Sequence, residues 1–353
     1  MSIYHKIQTQ TSFVPPEGWL QVQSIDMHTG GEPLRVIIGG LPKLEGNNIL
    51  EYRQDMKNRH DSLRKALMWE PRGHADMYGC VLLPPNTDEA DFGVLFIHNE
   101  GYSTMCGHAV IALTKLAVEM GWKEKTFPET HLRIDAPCGR IDSYARLDDH
   151  GKVTDCYFYC VPSFTLALNQ EVQVKGIGNV PYDISYGGAF YAYVDADHLG
   201  ISMAEENHNE LIEKGRAIKH AVMEQVKVKH PFEEDLSFLY GTIFMGKPED
   251  SSTANSRNVC IFADGEVDRS PTGSGVAGRM ALHYAKGELS ESESLTIESI
   301  TGSQFKGSIK EVIPYGPYQN AVIPKVEGTA YITGMHTFLI DPDDPFKEGF
   351  LLR

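Results

Sequence analysis

The chain has 353 residues, with 48 acidic against 32 basic side chains and a formal net charge of −16. That balance argues against a nucleic acid or an anionic membrane surface as partner, because both are polyanions that select basic patches. With 41% hydrophobic and 23% charged residues the composition is that of a folded globular protein, and the length suits two domains that each bury a core.

No apolar run approaches the roughly 18 to 20 residues that cross a bilayer; the longest are short, such as Val94 to Ile97 and Ala109 to Leu113. The first residues, MSIYHKIQTQTSF, lack the apolar core of a signal peptide. Six cysteines (Cys80, Cys106, Cys138, Cys156, Cys160, Cys260) are too sparse for a disulfide scaffold, so a reducing cytoplasm is the expected location.

In chain order, Gly30-Gly31 opens an extended, alternating segment through Leu34, Val36 and Ile38. A polar helical stretch is predicted over 48–68, then a strand at Val94-Leu95-Phe96-Ile97. Met105-Cys106-Gly107-His108 opens an amphipathic helix with Val110, Leu113, Ala117 and Met120 on one face and Gly121 as its C-terminal cap. Leu132-Arg133-Ile134-Asp135 with Gly139 closes the series.

The same series returns about 157 to 166 positions later. Gly187-Gly188 precedes Tyr191, Tyr193 and Asp195; a helix over 202–225 has a capping box (Ser202, Glu205) and an apolar stripe at Leu211, Gly215, Ile218 and Val222. Val259-Cys260-Ile261-Phe262 leads to Pro271-Thr272-Gly273-Ser274, which opens a helix with Ala277, Met280, Ala281 and Tyr284 on one face and Gly287 as cap. Leu295-Thr296-Ile297-Glu298 with Gly302 completes the copy. The expected organisation is two homologous α/β halves, 1–180 and 181–353, with the last strand free to cross back to the first half.

Equivalent points of such halves can face each other across a cleft, and the most distinctive pair is Cys106 and Thr272. Both stand where a helix begins, where unpaired backbone N–H groups and a partial positive charge bind carboxylates and favour a thiolate. A cysteine there can fall from about 8.5 into the range of roughly 3.5 to 7.5, which makes Cys106 a candidate base or nucleophile near neutral pH. Thr272 cannot mirror that chemistry; its side chain can hydrogen-bond or act as an ordinary N-cap. Asp268, four residues before Thr272, is within reach of whatever the helix start binds. A zwitterionic amino acid suits the arrangement, with its carboxylate on the N–H groups of Gly107, His108, Gly273 and Ser274 and its ammonium on Asp268.

Two other readings fail on spacing. Gly273-Ser274-Gly275-Val276-Ala277-Gly278 matches the dinucleotide pattern, with Glu298 twenty residues on, but Asp264-Gly265, Asp268 and Pro271 separate it from the preceding strand. His74, Cys80 and His98 are scattered and Cys156 with Cys160 is a lone pair, so no metal site is expected.

Three stretches carry a resemblance: Asp26-Met27-His28-Thr29-Gly30-Gly31-Glu32-Pro33, Met105-Cys106-Gly107-His108-Ala109 and Asp268-Arg269-Ser270-Pro271-Thr272-Gly273-Ser274-Gly275. On these the chain resembles the proline racemase family from about Asp26 to Phe338. The resemblance implies a diaminopimelate-epimerase-like α/β fold of two similar halves around a cleft, no cofactor, and a homodimer. In the family's racemases and 4-hydroxyproline epimerases a cysteine stands at both helix starts, one removing the Cα proton and the other returning a proton to the opposite face. Thr272 departs from that pattern and matches the trans-3-hydroxy-L-proline dehydratase branch. The implied roles are Cys106 as proton acceptor, Thr272 orienting substrate on the opposite face, and Gly107, His108, Asp268, Gly273 and Ser274 binding substrate. The implied reaction is a cofactor-independent dehydration of trans-3-hydroxy-L-proline to 1-pyrroline-2-carboxylate. The alternatives are a proline racemase or 4-hydroxyproline epimerase, and a non-catalytic amino-acid-binding protein, for which a thiol at the reacting carbon has no use. The Asp26 to Pro33 stretch is assigned no catalytic role.

Overall fold

A computed structural model describes residues 2–352. Its first elements are α1 (Ile3–Thr9), β1 (Leu20–Thr29), β2 (Glu32–Gly39), α2 (Ile49–Arg59), α3 (Asp61–Met68), β3 (Tyr78–Leu83), β4 (Phe92–His98), β5 (Tyr102–Ser103), α4 (Gly107–Glu119), β6 (Glu129–Ala136), β7 (Gly139–Leu147) and β8 (Val153–Tyr159). The rest are β9 (Phe164–Val174), β10 (Gly178–Tyr186), β11 (Phe190–Asp195), α5 (Ala196–Leu199), α6 (His208–Gln225), β12 (Leu239–Gly246), β13 (Ser256–Phe262), β14 (Glu266–Val267), α7 (Gly273–Ala285), β15 (Ser294–Glu298), β16 (Gln304–Tyr315), β17 (Tyr318–Gly328) and β18 (Ala330–Ile340). No helix among the described residues is long and apolar enough to cross a membrane.

All these strands belong to one mixed sheet that wraps around two helices. Helix α4 packs against β1, β2, β6, β7, β8, β17 and β18, and α7 against β9, β10, β11, β16 and β17. The end of the chain ties the structure together. β17 pairs with β8 through Lys325–Gly328, and β18 pairs antiparallel with β1 along Leu20–Thr29. Residue 180 lies inside β10, which pairs with β9, so hydrogen bonding continues across the 180/181 boundary expected from the repeat.

The glycine pair at 30–31 is the two-residue turn of the β1–β2 hairpin, where Thr29 faces Glu32. Both glycines have positive φ, 59° and 86°, the conformation a tight hairpin turn demands and side chains resist. The expected helix over 48–68 is broken at His60 into α2 and α3.

Two helix expectations need correction. Helices α4 and α7 are not amphipathic: apart from Lys115, every residue from Gly107 to Val118 is buried, as is every residue from Gly273 to Leu282. A helix encircled by strands is covered on all sides, so burial extends round the whole helix instead of along one face. Helix α6 follows its expected stripe, with Leu211, Gly215, Ile218 and Val222 as its buried residues, but it starts at His208 with Asn207 as N-cap. The Ser202–Glu205 capping box does not form; Ser202 Oγ accepts only the Ala204 N–H, at 3.4 Å.

Candidate active site

Cys106 is the N-cap residue of α4 and Thr272 that of α7. The two helix starts abut. A Cβ placed on Gly107 would lie 2.5 Å from Gly273 Cα, and one on Gly273 would lie 2.5 Å from Gly107 Cα. Glycine at both positions is thus required by close approach. Around this contact lies a pocket lined by Cys106, Gly107, His108, Asp268, Thr272, Gly273 and Ser274, so all seven residues singled out in the sequence come together.

The Thr272 loop is held under strain. Thr272 has φ +65°, a region that a β-branched residue seldom occupies, and strain of that kind costs about 1–3 kcal/mol. Its N–H bonds Ser270 Oγ at 3.2 Å, Asn258 Nδ2 donates to the Pro271 carbonyl at 3.0 Å, and Asp268 Oδ1 accepts the Ser270 N–H at 2.7 Å. Thr272 is N-cap by position only: its side chain makes no capping bond, and Oγ1 is buried without an oxygen or nitrogen partner. Asp268 is 5% exposed and enters no ion pair among the described residues, leaving a buried carboxylate to be matched by a cation.

Cys106 departs from the expectation of a lowered thiol. Burial pushes it well above its ordinary value; the Ala109 N–H and the Tyr78 hydroxyl pull it down, and the Asp268 charge adds to the rise. The helix start does act on the sulfur through Ala109, but desolvation of a thiolate in a closed pocket outweighs it. Beside the sulfur sits His108, with Nδ1 at 3.2 Å and Nε2 at 3.7 Å. Burial lowers the imidazole, while the Asp268 charge raises it. A neutral His108 in this position can accept the thiol proton.

The sequence reading missed five lining residues, Tyr78, Met105, Tyr191, Tyr240 and Phe262. Tyr191 had a readable signal, a phenol where an alternating strand faces the core; its hydroxyl bonds Ser274 Oγ at 2.8 Å. Nothing local marks Tyr78, Tyr240 or Phe262. The Asp26 to Pro33 stretch acts from behind the pocket. Thr29 Oγ1 donates to the His108 carbonyl at 2.9 Å, and Asp26 binds the Arg35 guanidinium at 2.8 Å. His98, set aside as scattered, pairs with Glu266 at 3.1 Å, both buried. The rejected dinucleotide glycines serve packing: a Cβ on Gly275 would strike Ile243 at 2.4 Å, and one on Gly278 would strike the Tyr193 hydroxyl at 2.2 Å.

The fold and this pocket define a family: the proline racemase family matches residues 24–351, and the chain belongs to it. A protein of Colwellia psychrerythraea named trans-3-hydroxy-L-proline dehydratase is 52% identical, covering 96% of this chain and 95% of its own. A Burkholderia multivorans protein named 3-hydroxyproline 2-epimerase is 45% identical over 94% of this chain and 98% of its own. The crystal structure of a hydroxyproline epimerase from Agrobacterium vitis with bound trans-4-hydroxy-L-proline superposes with a TM-score of 0.86, at 30% identity and with 94% and 96% of the two chains covered. The fold is the diaminopimelate-epimerase-like α/β fold expected from the resemblance.

Proposed function

We propose that this chain is a cofactor-independent hydro-lyase that converts trans-3-hydroxy-L-proline to 1-pyrroline-2-carboxylate, with Cys106 as the Cα base. The observation that carries this reading is the asymmetry of the pocket, a thiol at one helix start and an alcohol at the other. Inversion at Cα needs acid or base on both faces, and threonine does not ionise in the accessible pH range. Elimination needs one base at Cα and a proton for the departing oxygen.

The substrate's carboxylate rests on the N–H groups of Gly107, His108, Gly273 and Ser274, donors that have no intrahelical acceptor in the first turn. Its ammonium is held by Asp268. The same N–H groups stabilise the charge that delocalises into the carboxylate as the Cα proton leaves. The Cys106 thiolate removes the Cα proton, with His108 beside the sulfur. In this substrate the carboxylate and hydroxyl lie on opposite ring faces, so the Cα hydrogen and the hydroxyl share a face and the elimination is syn. The enamine formed tautomerises to the imine. Thr272 orients the ring from the other face. Support also comes from the 52% identical relative that bears the dehydratase name. We further infer that the two halves of the chain are diverged copies and, from the family resemblance, that the protein is a homodimer.

A second reading, epimerisation at Cα, is favoured by the relative named as a 3-hydroxyproline 2-epimerase. One experiment separates them: the protein is incubated with trans-3-hydroxy-L-proline, L-proline and trans-4-hydroxy-L-proline, and imine formation and optical purity are followed together. The dehydratase reading expects imine from the first compound alone. Inversion of L-proline without dehydration of the 3-hydroxy compound overturns it.

A further inference from the structure

Resting on the dehydratase reading, we propose that Tyr78 is the acid that protonates the departing 3-hydroxyl. A syn elimination puts the leaving oxygen on the same side of the ring as the proton taken by Cys106, so the acid must belong to the Cys106 wall of the pocket. Tyr78, the first residue of β3, lines that wall and is 3% exposed. Its ring packs edge-on against His108 at 4.9 Å and stacks on His98 at 5.6 Å. Its hydroxyl is hydrogen-bonded to the buried Ser103 Oγ, and its ring lies against His108, whose Nδ1 is 3.2 Å from the Cys106 sulfur. The phenol is thereby held in the pocket lining beside His108.

Its place against His108 and its bond to Ser103 are what separate Tyr78 from the other phenol in reach. Tyr240 also lines the pocket, but its ring packs on Tyr191 and Phe262, away from the His108 edge. With Tyr78 the protons balance within one turnover. The thiolate takes the Cα proton and becomes a thiol; the C–H electron pair forms the Cα–C3 double bond; the C3–O bond breaks and its electron pair accepts the Tyr78 proton, giving water. The Tyr78 phenolate then takes the thiol's proton. This return restores thiolate and phenol. Ser103 Oγ supplies a hydrogen bond to the phenolate while it lasts.

The test compares Tyr78→Phe with the wild type on trans-3-hydroxy-L-proline and on the 3-fluoro analogue of the same configuration. Water is a weak acid, with a pKa of 15.7, so hydroxide must be protonated as it leaves, whereas fluoride departs as an anion. The expected result is a loss of about 10²-fold or more in kcat/KM on the hydroxy compound, the scale of a general acid, and a loss at least about tenfold smaller on the fluoro compound, which feels only the change at the Cys106 thiol. Retained turnover of the fluoro compound also shows that the variant is folded with a working base. Equal losses on both compounds would mean that Tyr78 serves the base or the packing, and an unimpaired variant would mean that His108 or a water is the acid; either overturns the proposal. A wild type that fails to dehydrate the hydroxy compound refutes the dehydratase reading itself, a result distinct from both.

Discussion

Glu32 Oε2 accepts the backbone N–H of Arg269 at 2.7 Å across 237 residues of chain. The contact joins the turn of the β1–β2 hairpin to the loop that carries Asp268 and Thr272, and the Arg269 guanidinium adds an ion pair to Asp76 at 3.0 Å. The pocket wall contributed by α7 is thus braced by residues from the start of the chain.

This brace is sensitive to pH. Burial, and next the Asp268 charge, push the Glu32 carboxyl well above the usual carboxylate range, while Arg269 pulls it down. A carboxyl raised in the folded state contributes its full stability below its unfolded value, about 4.3, and loses it as pH climbs through the raised folded value. Glu32→Gln keeps an acceptor oxygen and removes the titration. Denaturant midpoints measured upward from about pH 4.3 should show the wild type losing ground to the variant as pH rises. A difference that stays constant across that window counts against a raised Glu32.

Activity should follow the thiolate. Because burial holds Cys106 well above its ordinary value, the base is protonated near neutrality in the free protein and kcat/KM should climb tenfold per pH unit on the acid side. The limb is expected to keep climbing through the ordinary thiol range before it bends. A plateau already reached at neutral pH would mean that the helix start and His108 overcome desolvation.

The two cap positions should answer differently to substitution. Cys106→Ser removes the proposed base and should lower dehydration by about 10²- to 10⁴-fold. Thr272→Cys supplies a second ionisable group and should add Cα inversion, read as racemisation of L-proline by polarimetry or chiral chromatography. If Thr272→Cys dehydrates as before and inverts nothing, a thiol at that position is not enough to complete a two-face site.

Gly273→Ala tests the contact between the helices. The added methyl meets Gly107 Cα at 2.5 Å, with backbone on both sides and nothing flexible to yield. Overpacking of this kind costs about 1–3 kcal/mol, and separating the two caps by even 1 Å can cost about 10²-fold in rate. Thermal unfolding and kcat/KM together check it; a variant that retains both would show that the helix starts can part without harm.

Much of the site was legible because its chemistry is concentrated in contiguous motifs. Cys106-Gly107-His108 and Asp268 through Ser274 each sit at one helix start, where spacing along the chain and position in space coincide. The duplicated order of strand, tetrad and helix pointed to a pair of equivalent helix starts, and the absence of a second cysteine at 272 pointed to one-sided proton chemistry. The strand-borne residues were not legible. Tyr78, Tyr240 and Phe262 read as ordinary core aromatics, since period and composition say which face of a strand is buried and not what it is buried against.

From the sequence alone come the residues at the two helix starts and the thiol-against-alcohol asymmetry, because these depend on local propensity and on side-chain chemistry. Tertiary structure alone decided the rest. It brings Gly107 and Gly273 into contact, returns β18 to β1, sets Glu32 beneath Arg269, and buries Cys106 so deeply that desolvation rather than the helix start governs its thiol. Each of these depends on contacts between residues far apart in the chain, and the free energy of burying a charge is a property of the closed pocket and not of any segment that lines it.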